Sequence, residues 1–328
     1  MKILFRVISK TSDNLTEENY IKLQEESCSP DQLSPKSLEI AFGNVETGDL
    51  VEVSFFKAGF KNTRKLHFLH HFDRPNQGDV LSGPYHYFNF PEHDCISWDE
   101  SIIKGKPIKK AESFDVIMGG GIYFLRNKPR LDKLMKGATN FIGWGLGLDT
   151  RVNLDEYIER FSLLGTREKK SHYIDNQKVF YVPCVSCMHG FFDGFLSNDL
   201  VEDSVKGVAV HLNHGFNKNE ILTHFKSYDV TYTTSSYEKT FKNISEAEVV
   251  ITNSYHGAYW GSLMGKKVIC LATEVPKWDG LHANVVFSSL EDVENALKEV
   301  KSVPKEYLRE CRSLNVSFYE KVRAHLNR

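Results

Sequence analysis

From Leu66 onward, short apolar runs of strand length alternate with polar, helix-like segments, and that alternation restricts the chain to βα units built on parallel sheets. The first set of runs is Leu66–His71, Phe114–Met118, Asn140–Gly145, Leu163–Thr166 and Val179–Pro183. A polar, acidic stretch over Gly194–Ser204 reads as a linker, after which the runs resume at Lys206–Leu212, Val230–Thr233, Val249–Thr252 and Val268–Leu271. The pattern predicts an α/β fold with an N-terminal domain over 1–195 and a C-terminal domain over 196–304. Helices are expected at Asn153–Phe161, Lys218–Ser227 and Glu238–Ser245, and Ser288-x-x-Glu291 has capping-box spacing ahead of another. After Pro304, the residues Leu308, Cys311, Leu314, Phe318 and Val322 recur at helical spacing and predict a last helix over 305–328, packing back on the first domain. Residues 1–60 are a poorly patterned extension, within which Leu50–Phe56 alternates as a strand should.

Ligands of open α/β sheets bind beyond the carboxyl ends of the strands, so the turns after these runs are where a site is sought. The most informative is ITNSYHGAYWGSLMGKKVIC over Ile251–Cys270, where a β-branched strand turns at Asn253–Tyr255 into a short helix opened by His256-Gly257 and stopped by Gly265. Free N–H groups and the positive dipole end at such a helix start favour a phosphate or carboxylate. In DRPNQGDVLSGPYHY over Asp73–Tyr87, Gly78 permits a tight turn, while Asp79 serves as an N-cap or as an acceptor for substrate hydroxyls. Gly119, Gly120 and Gly121 after Met118 suggest close approach of backbone to a ligand, and Gly143–Gly147 ends the next strand in the same way. Arg167, leaving the strand Leu163–Thr166, offers planar bidentate donors to an anion, with pairing to Glu168 or Asp175 as the structural alternative. His214 and Asn217 lie on the turn after Lys206–Leu212, and Glu274, Lys277 and Trp278 lie on a loop able to close over a ligand.

These turns together resemble the polysaccharide pyruvyltransferase family. Thr252, His256, Gly257, Gly265 and Lys266 fall in step with its C-terminal signature, and Asn76, Gly78 and Asp79 match its early N-x-G-D element. Gly119–Gly121, Gly143–Gly147 and Arg167-Glu168 resemble further family elements, so the resemblance spans about residues 66–290. Gly261, Lys267 and Cys184 depart from it, and Ser254 stands where many members have an arginine, which leaves the site short of a cation unless Lys266, Lys267 or Lys277 replaces it. The resemblance implies two Rossmann-like domains facing a cleft, glycosyltransferase B-like, with a C-terminal return helix. It further implies transfer of a pyruvyl ketal from phosphoenolpyruvate to a sugar, with a saccharide or lipid-linked saccharide as acceptor and no cofactor. In that reading His256 and Asp79 are catalytic, and Arg167, Gly119, Gly120, Gly121, Ser254 and Gly257 hold the donor. Asn76, His214, Asn217, Tyr255 and Lys277 are secondary candidates. The rival reading is a nucleotide-sugar-dependent glycosyltransferase of the same fold, in which Tyr255, Tyr259, Trp260 and Trp278 stack a base or sugar.

Charge narrows the field further. With 41 basic and 43 acidic residues the chain has no electrostatic footprint for nucleic acid. The start, MKILFRVISK, reads as a strand and not as a signal peptide, and no run reaches the ~18 apolar residues of a spanning helix, so a cytoplasmic protein is expected, compatible with peripheral membrane association. Six dispersed cysteines fit reduced, mostly buried thiols, and Cys184-Val-Ser-Cys187 lacks a second C-x-x-C, so no metal site is expected.

Overall fold

A computed structural model describes residues 4–7, 19–22, 53–55, 65–70, 76–99, 114–121, 137–148, 155–169, 176–196, 206–213, 223–271 and 278–328. Strands β1 (Leu4–Val7) and β2 (Asn19–Lys22) pair antiparallel. The larger sheet contains β3 (Val53–Phe55), β4 (Lys65–His70), β5 (Asp94–Asp99), β6 (Phe114–Gly119), β7 (Asn140–Leu146), β8 (Leu163–Thr166) and β9 (Val179–Tyr181) in the order β3-β5-β4-β6-β7-β8-β9. Its strands run parallel except β3, which pairs antiparallel with β5. The second sheet is wholly parallel, with β10 (Lys206–Leu212), β11 (Val230–Tyr232), β12 (Ala247–Thr252), β13 (Lys267–Leu271) and β14 (Val286–Ser288) in the order β11-β10-β12-β13-β14. The expected strands are present to within a residue or two at most ends. Three were not foreseen: β2 lies in a polar stretch, β5 begins and ends on aspartate, and β14 is three residues long, so none of them forms an apolar run.

Six α-helices are described: α1 (Gln77–Val80), α2 (Asp155–Ile158), α3 (Tyr237–Ser245), α4 (Tyr255–Leu263), α5 (Val293–Glu299) and α6 (Glu306–Leu326). Half of the helix expected at Lys218–Ser227 lies outside the described residues; of the rest, 223–224 are helical and 225–227 form a turn. Two helix starts differ from expectation. The N-cap of α1 is Asn76, whose Oδ1 accepts from Gly78 N at 3.1 Å, while Asp79 sits in the first turn and accepts from Asn76 Nδ2 at 2.9 Å. Helix α5 starts after Asp292, with no side-chain cap, so the Ser288–Glu291 spacing does not form a capping box.

The larger sheet is buried on both faces, as a parallel sheet must be. Leu69, Val116, Met118, Phe141 and Leu164 pack with Tyr157 and Ile158 of α2 on one face. On the other, Leu66, Phe68, Ile117, Ile142 and Trp144 pack with Phe318, Val322 and Leu326 of α6. Asn315, fully enclosed in α6, accepts from Trp144 Nε1 at 2.8 Å and donates to Pro183 O at 3.2 Å, which fixes the helix in register against β7. The first half of α6 instead contributes Tyr307, Leu308 and Cys311 to a cluster with Tyr259, Trp260 and Leu263 of α4. That cluster also takes in Leu81, Cys184, Cys187 and Phe192, so the segment after β9, two 3-10 turns over Val185–Met188 and Gly190–Phe195, packs directly on α4 and on Phe241 of α3. Among the described residues no helix is long and apolar enough to cross a membrane.

Candidate active site

The carboxyl ends of the two sheets meet. Gln77 N, after β4, donates to Thr233 O, after β11, at 2.9 Å, and side chains following β4, β8 and β12 come together around Tyr255 and His256 at the start of α4. His256, 5% exposed, has Nε2 3.1 Å from Ser82 Oγ and 3.5 Å from Cys184 Sγ. Its ring fills the space beside Gly78, where an added Cβ would lie 2.1 Å from Nδ1. Gly78 therefore serves close approach of α1 to α4, a stricter demand than the tight turn read from sequence. The Tyr255 ring meets the His256 ring edge-on with centroids 5.4 Å apart.

Arg167 lies 3.9 Å over the face of that same Tyr255 ring. It is 2% exposed, and its Nε and Nη1 are enclosed without a hydrogen-bond partner among the described residues. Of the two structural partners expected, Asp175 lies outside the described residues, and Glu168 is engaged elsewhere: its carboxylate accepts from Leu148 N at 2.7 and 2.9 Å and from Thr166 Oγ1 at 2.8 Å. Burial raises the Glu168 carboxyl to about 7, with the neighbouring Arg167 charge and these hydrogen bonds pulling the other way. An enclosed guanidinium with donors unused is costly to maintain and suited to a ligand anion. Asn253, between β12 and α4, is 3% exposed; its Oδ1 accepts from Asn213 N at 2.6 Å, while its Nδ2 has no partner among the described residues.

Other residues singled out from sequence are placed differently. Gly119 and Gly120 serve close approach of the chain to itself: an added Cβ would lie 2.3 Å from Pro84 Cδ and 2.4 Å from Ser82 Cβ. Gly120 N, moreover, donates to Trp144 O at 3.4 Å; Gly120 and Gly121 both have positive φ, and Gly121 O accepts from Gly147 N at 3.0 Å. Gly257 lets α4 sit on β12, since its Cβ would fall 2.4 Å from Thr252 Oγ1. Ser254 is the buried N-cap of α4 without a side-chain cap bond, its N–H donating to Thr252 Oγ1 at 3.0 Å. Lys266 and Lys267 do not replace a missing cation, because they stand at the amino end of β13 and bind Ser245 O at 2.7 Å and Glu248 at 2.6 Å. Tyr259 and Trp260 are core residues, with Tyr259 OH donating to Cys184 O at 2.8 Å and Trp260 Nε1 to Ser186 Oγ at 3.1 Å. His214, Asn217, Glu274 and Lys277 lie outside the described residues. Ser82, Asn253 and Gly280 were not foreseen, although Ser82 in Leu81-Ser-Gly-Pro84 and Asn253 at a strand end both occupy turns of the kind searched.

Buried imidazoles around this framework give a stability prediction. Burial lowers His67, His86 and His211 to about 4 each, with Lys65 adding to the effect at His67 and His189 at His86. Their folded values lie below the unfolded ~6.5, so the unfolded chain takes up protons first on acidification and stability falls as pH drops from about 6.5 to 4. Glu168, raised above its unfolded value, acts in the opposite sense: the stability it contributes is present below about 4.5 and fades as pH rises toward 7. The three histidines prevail. Chemical denaturation at pH 6.5 and 4.5 is expected to show a loss of several kcal/mol, at about 1.4 kcal/mol for each tenfold difference in proton affinity between folded and unfolded chain, and His211→Gln should flatten that slope. Equal stability at both pH values would refute it.

The chain is thus, as a class, an α/β protein whose sheets bring together at strand ends a buried histidine and an enclosed guanidinium with Nε and Nη1 unpartnered among the described residues. The family described as polysaccharide pyruvyl transferase matches residues 54–274, more than half of the chain. The protein belongs to that family, and it is a transferase with a saccharide acceptor. A functionally uncharacterized protein of Klebsiella pneumoniae subsp. pneumoniae NTUH-K2044 is similar in structure, 17% identical over 69% of this chain and 93% of its own, with a TM-score of 0.47. The wall teichoic acid polymerase TagF is 9% identical over 66% of this chain and 76% of its own, with a TM-score of 0.26. No curated protein matches the sequence significantly.

Proposed function

We propose that the protein transfers a pyruvyl group from phosphoenolpyruvate to two hydroxyls of a saccharide, forming a cyclic ketal and releasing phosphate. The observation that carries this reading is Arg167, enclosed, with Nε and Nη1 unused, and held against Tyr255 at the first turn of α4. A compact anion such as the donor's carboxylate or phosphate matches that single cation and the N–H groups at the helix start. In the proposed sequence His256 as imidazolium protonates the methylene carbon, and a sugar hydroxyl attacks the cationic C2 and loses its proton. Phosphate then leaves with the electrons of the C2–O bond, and a second hydroxyl closes the ring, losing its own proton. Asp79, half-buried on α1, orients the acceptor and receives hydroxyl protons, and no cofactor enters the chemistry.

The same proposal includes two Rossmann-like domains, about 1–195 and 196–304, facing a cleft, with the return helix after residue 305, a cytoplasmic location and a free or lipid-linked saccharide acceptor. Burial of Tyr259 and Trp260 in the core removes two of the stacking platforms a nucleotide-sugar donor would use. Thermal unfolding with phosphoenolpyruvate and with a panel of nucleotide sugars tests the donor. Phosphoenolpyruvate at about 100 times its Kd should stabilise by ~2.7 kcal/mol. A response to a nucleotide sugar alone would sink the pyruvyl reading and restore the glycosyltransferase alternative.

A further inference from the structure

His256 is joined to a run of hydrogen bonds whose two ends cannot reverse. At one end Trp260 Nε1, which can only donate, gives its proton to Ser186 Oγ at 3.1 Å. At the other, Ser82 Oγ lies 2.5 Å from Gly78 O, which can only accept, so the single hydroxyl proton of Ser82 is spent there. Cys184 Sγ stands between them, 3.3 Å from Ser186 Oγ and 3.3 Å from Ser82 Oγ. Ser186, having accepted from the indole, donates to Cys184, and Cys184 donates to Ser82. Every proton in the run is thereby directed toward Gly78 O, and none is left for His256.

We infer that Ser82, backed by Cys184, Ser186 and Trp260, is a positioning residue that holds the proton of neutral His256 on Nε2 and places the ring's lone pair on Nδ1. The contact of 3.1 Å between Ser82 Oγ and His256 Nε2 is then an N–H donating to a hydroxyl oxygen. The reverse assignment, with the Cys184 thiol donating to Nε2 across 3.5 Å, sets two lone pairs face to face at 3.1 Å and relies on a weak donor. The consequence bears on the proposed function and rests on it: a proton that His256 exchanges in turnover moves at Nδ1, the nitrogen lying against Gly78 on α1, while Nε2–H stays on Ser82. The acid would thus act from the α1 side of the ring, the side that carries Asp79.

The test needs no substrate. Long-range 15N–1H correlation spectra of the full-length protein, with the His256 signals assigned by their absence in His256→Gln, report which nitrogen carries the proton in the neutral ring. Nε2–H in the wild type is expected, and Nδ1–H overturns the inference. In Ser82→Ala the freed Cys184 thiol turns to Nε2, and the tautomer ratio should shift about tenfold toward Nδ1–H, the weight of one hydrogen bond of about 1.4 kcal/mol. Ser82→Thr, which keeps the hydroxyl, should restore the wild-type ratio; an unchanged ratio in Ser82→Ala overturns the inference. The wild-type spectrum decides the tautomer even where a variant fails to fold. A protein that ignores phosphoenolpyruvate but shows Nε2–H loses the donor assignment and keeps this one.

Discussion

Arg167→Met is expected to reduce kcat/KM for the donor by about a hundredfold or more while leaving the melting temperature of the free protein within a few degrees of wild type. The two halves of that expectation have different causes. A buried guanidinium that meets an anion contributes about 3 kcal/mol through charge-assisted hydrogen bonds, and each 1.4 kcal/mol is a factor of ten. In the free protein the same group has Nε and Nη1 enclosed without partners, so its removal relieves a desolvation cost. Against that relief stands the lost stacking on Tyr255, at 3.9 Å, worth ~1–2 kcal/mol, of which the methionine side chain recovers part by packing. A structural Arg167, paired and satisfied, would behave in the opposite way, with a large drop in melting temperature and little selective loss of donor affinity. Arg167→Lys keeps a charge but not the planar fork, and should recover only a fraction of the loss. Steady-state kinetics and thermal melts of the same preparations check both halves, and a melting temperature more than about 10 °C below wild type would count against a ligand-directed arginine.

Arg167 also shows how far sequence reasoning reaches in this chain. Its position after the short run Leu163–Thr166 is enough to mark it as a cation at a strand end, and the same period-two and apolar-run logic locates most strands of both sheets. The strands that escape, β5 and β14, lack the apolar run on which that logic depends. Within the site the residues whose surroundings differ from expectation share one cause. The glycines at 119, 120 and 257 and the helix-capping Asn76 look from sequence as though they face a ligand, yet each answers to another part of the chain: the Ser82–Pro84 turn, Thr252 or the backbone of α1. A glycine's missing Cβ reveals that something comes close, and only the fold reveals what. Ser82 and Cys184 are invisible for the complementary reason, since their importance lies in contacts with His256 across 174 and 72 residues of sequence.

Gly280→Ala is expected to be the most damaging single methyl addition in the described structure. An added Cβ would lie 1.5 Å from the carbonyl oxygen of Arg167, and backbone on both sides must move to admit it. Neither side can move easily. The Gly280 carbonyl accepts from Tyr181 OH at 3.0 Å and from Tyr307 OH at 3.3 Å, hydroxyls carried by β9 and α6, while Arg167 N is bonded to Leu146 O at 3.1 Å. The methyl group must therefore break one of these attachments, leaving a buried polar group unsatisfied in addition to the steric cost. A loss of about 4 kcal/mol, or roughly 10 °C in melting temperature, follows for a chain of this size. Gly207→Ala is the control, because an added Cβ there meets nothing within 4 Å and should be neutral or slightly stabilising. Because the displaced atom belongs to Arg167, Gly280→Ala should also weaken donor binding in whatever fraction still folds, coupling stability to affinity in a way that Arg167→Met does not. A Gly280→Ala protein melting within about 2 °C of the Gly207→Ala control would show that the chain at Gly280 does not lock the arginine in place.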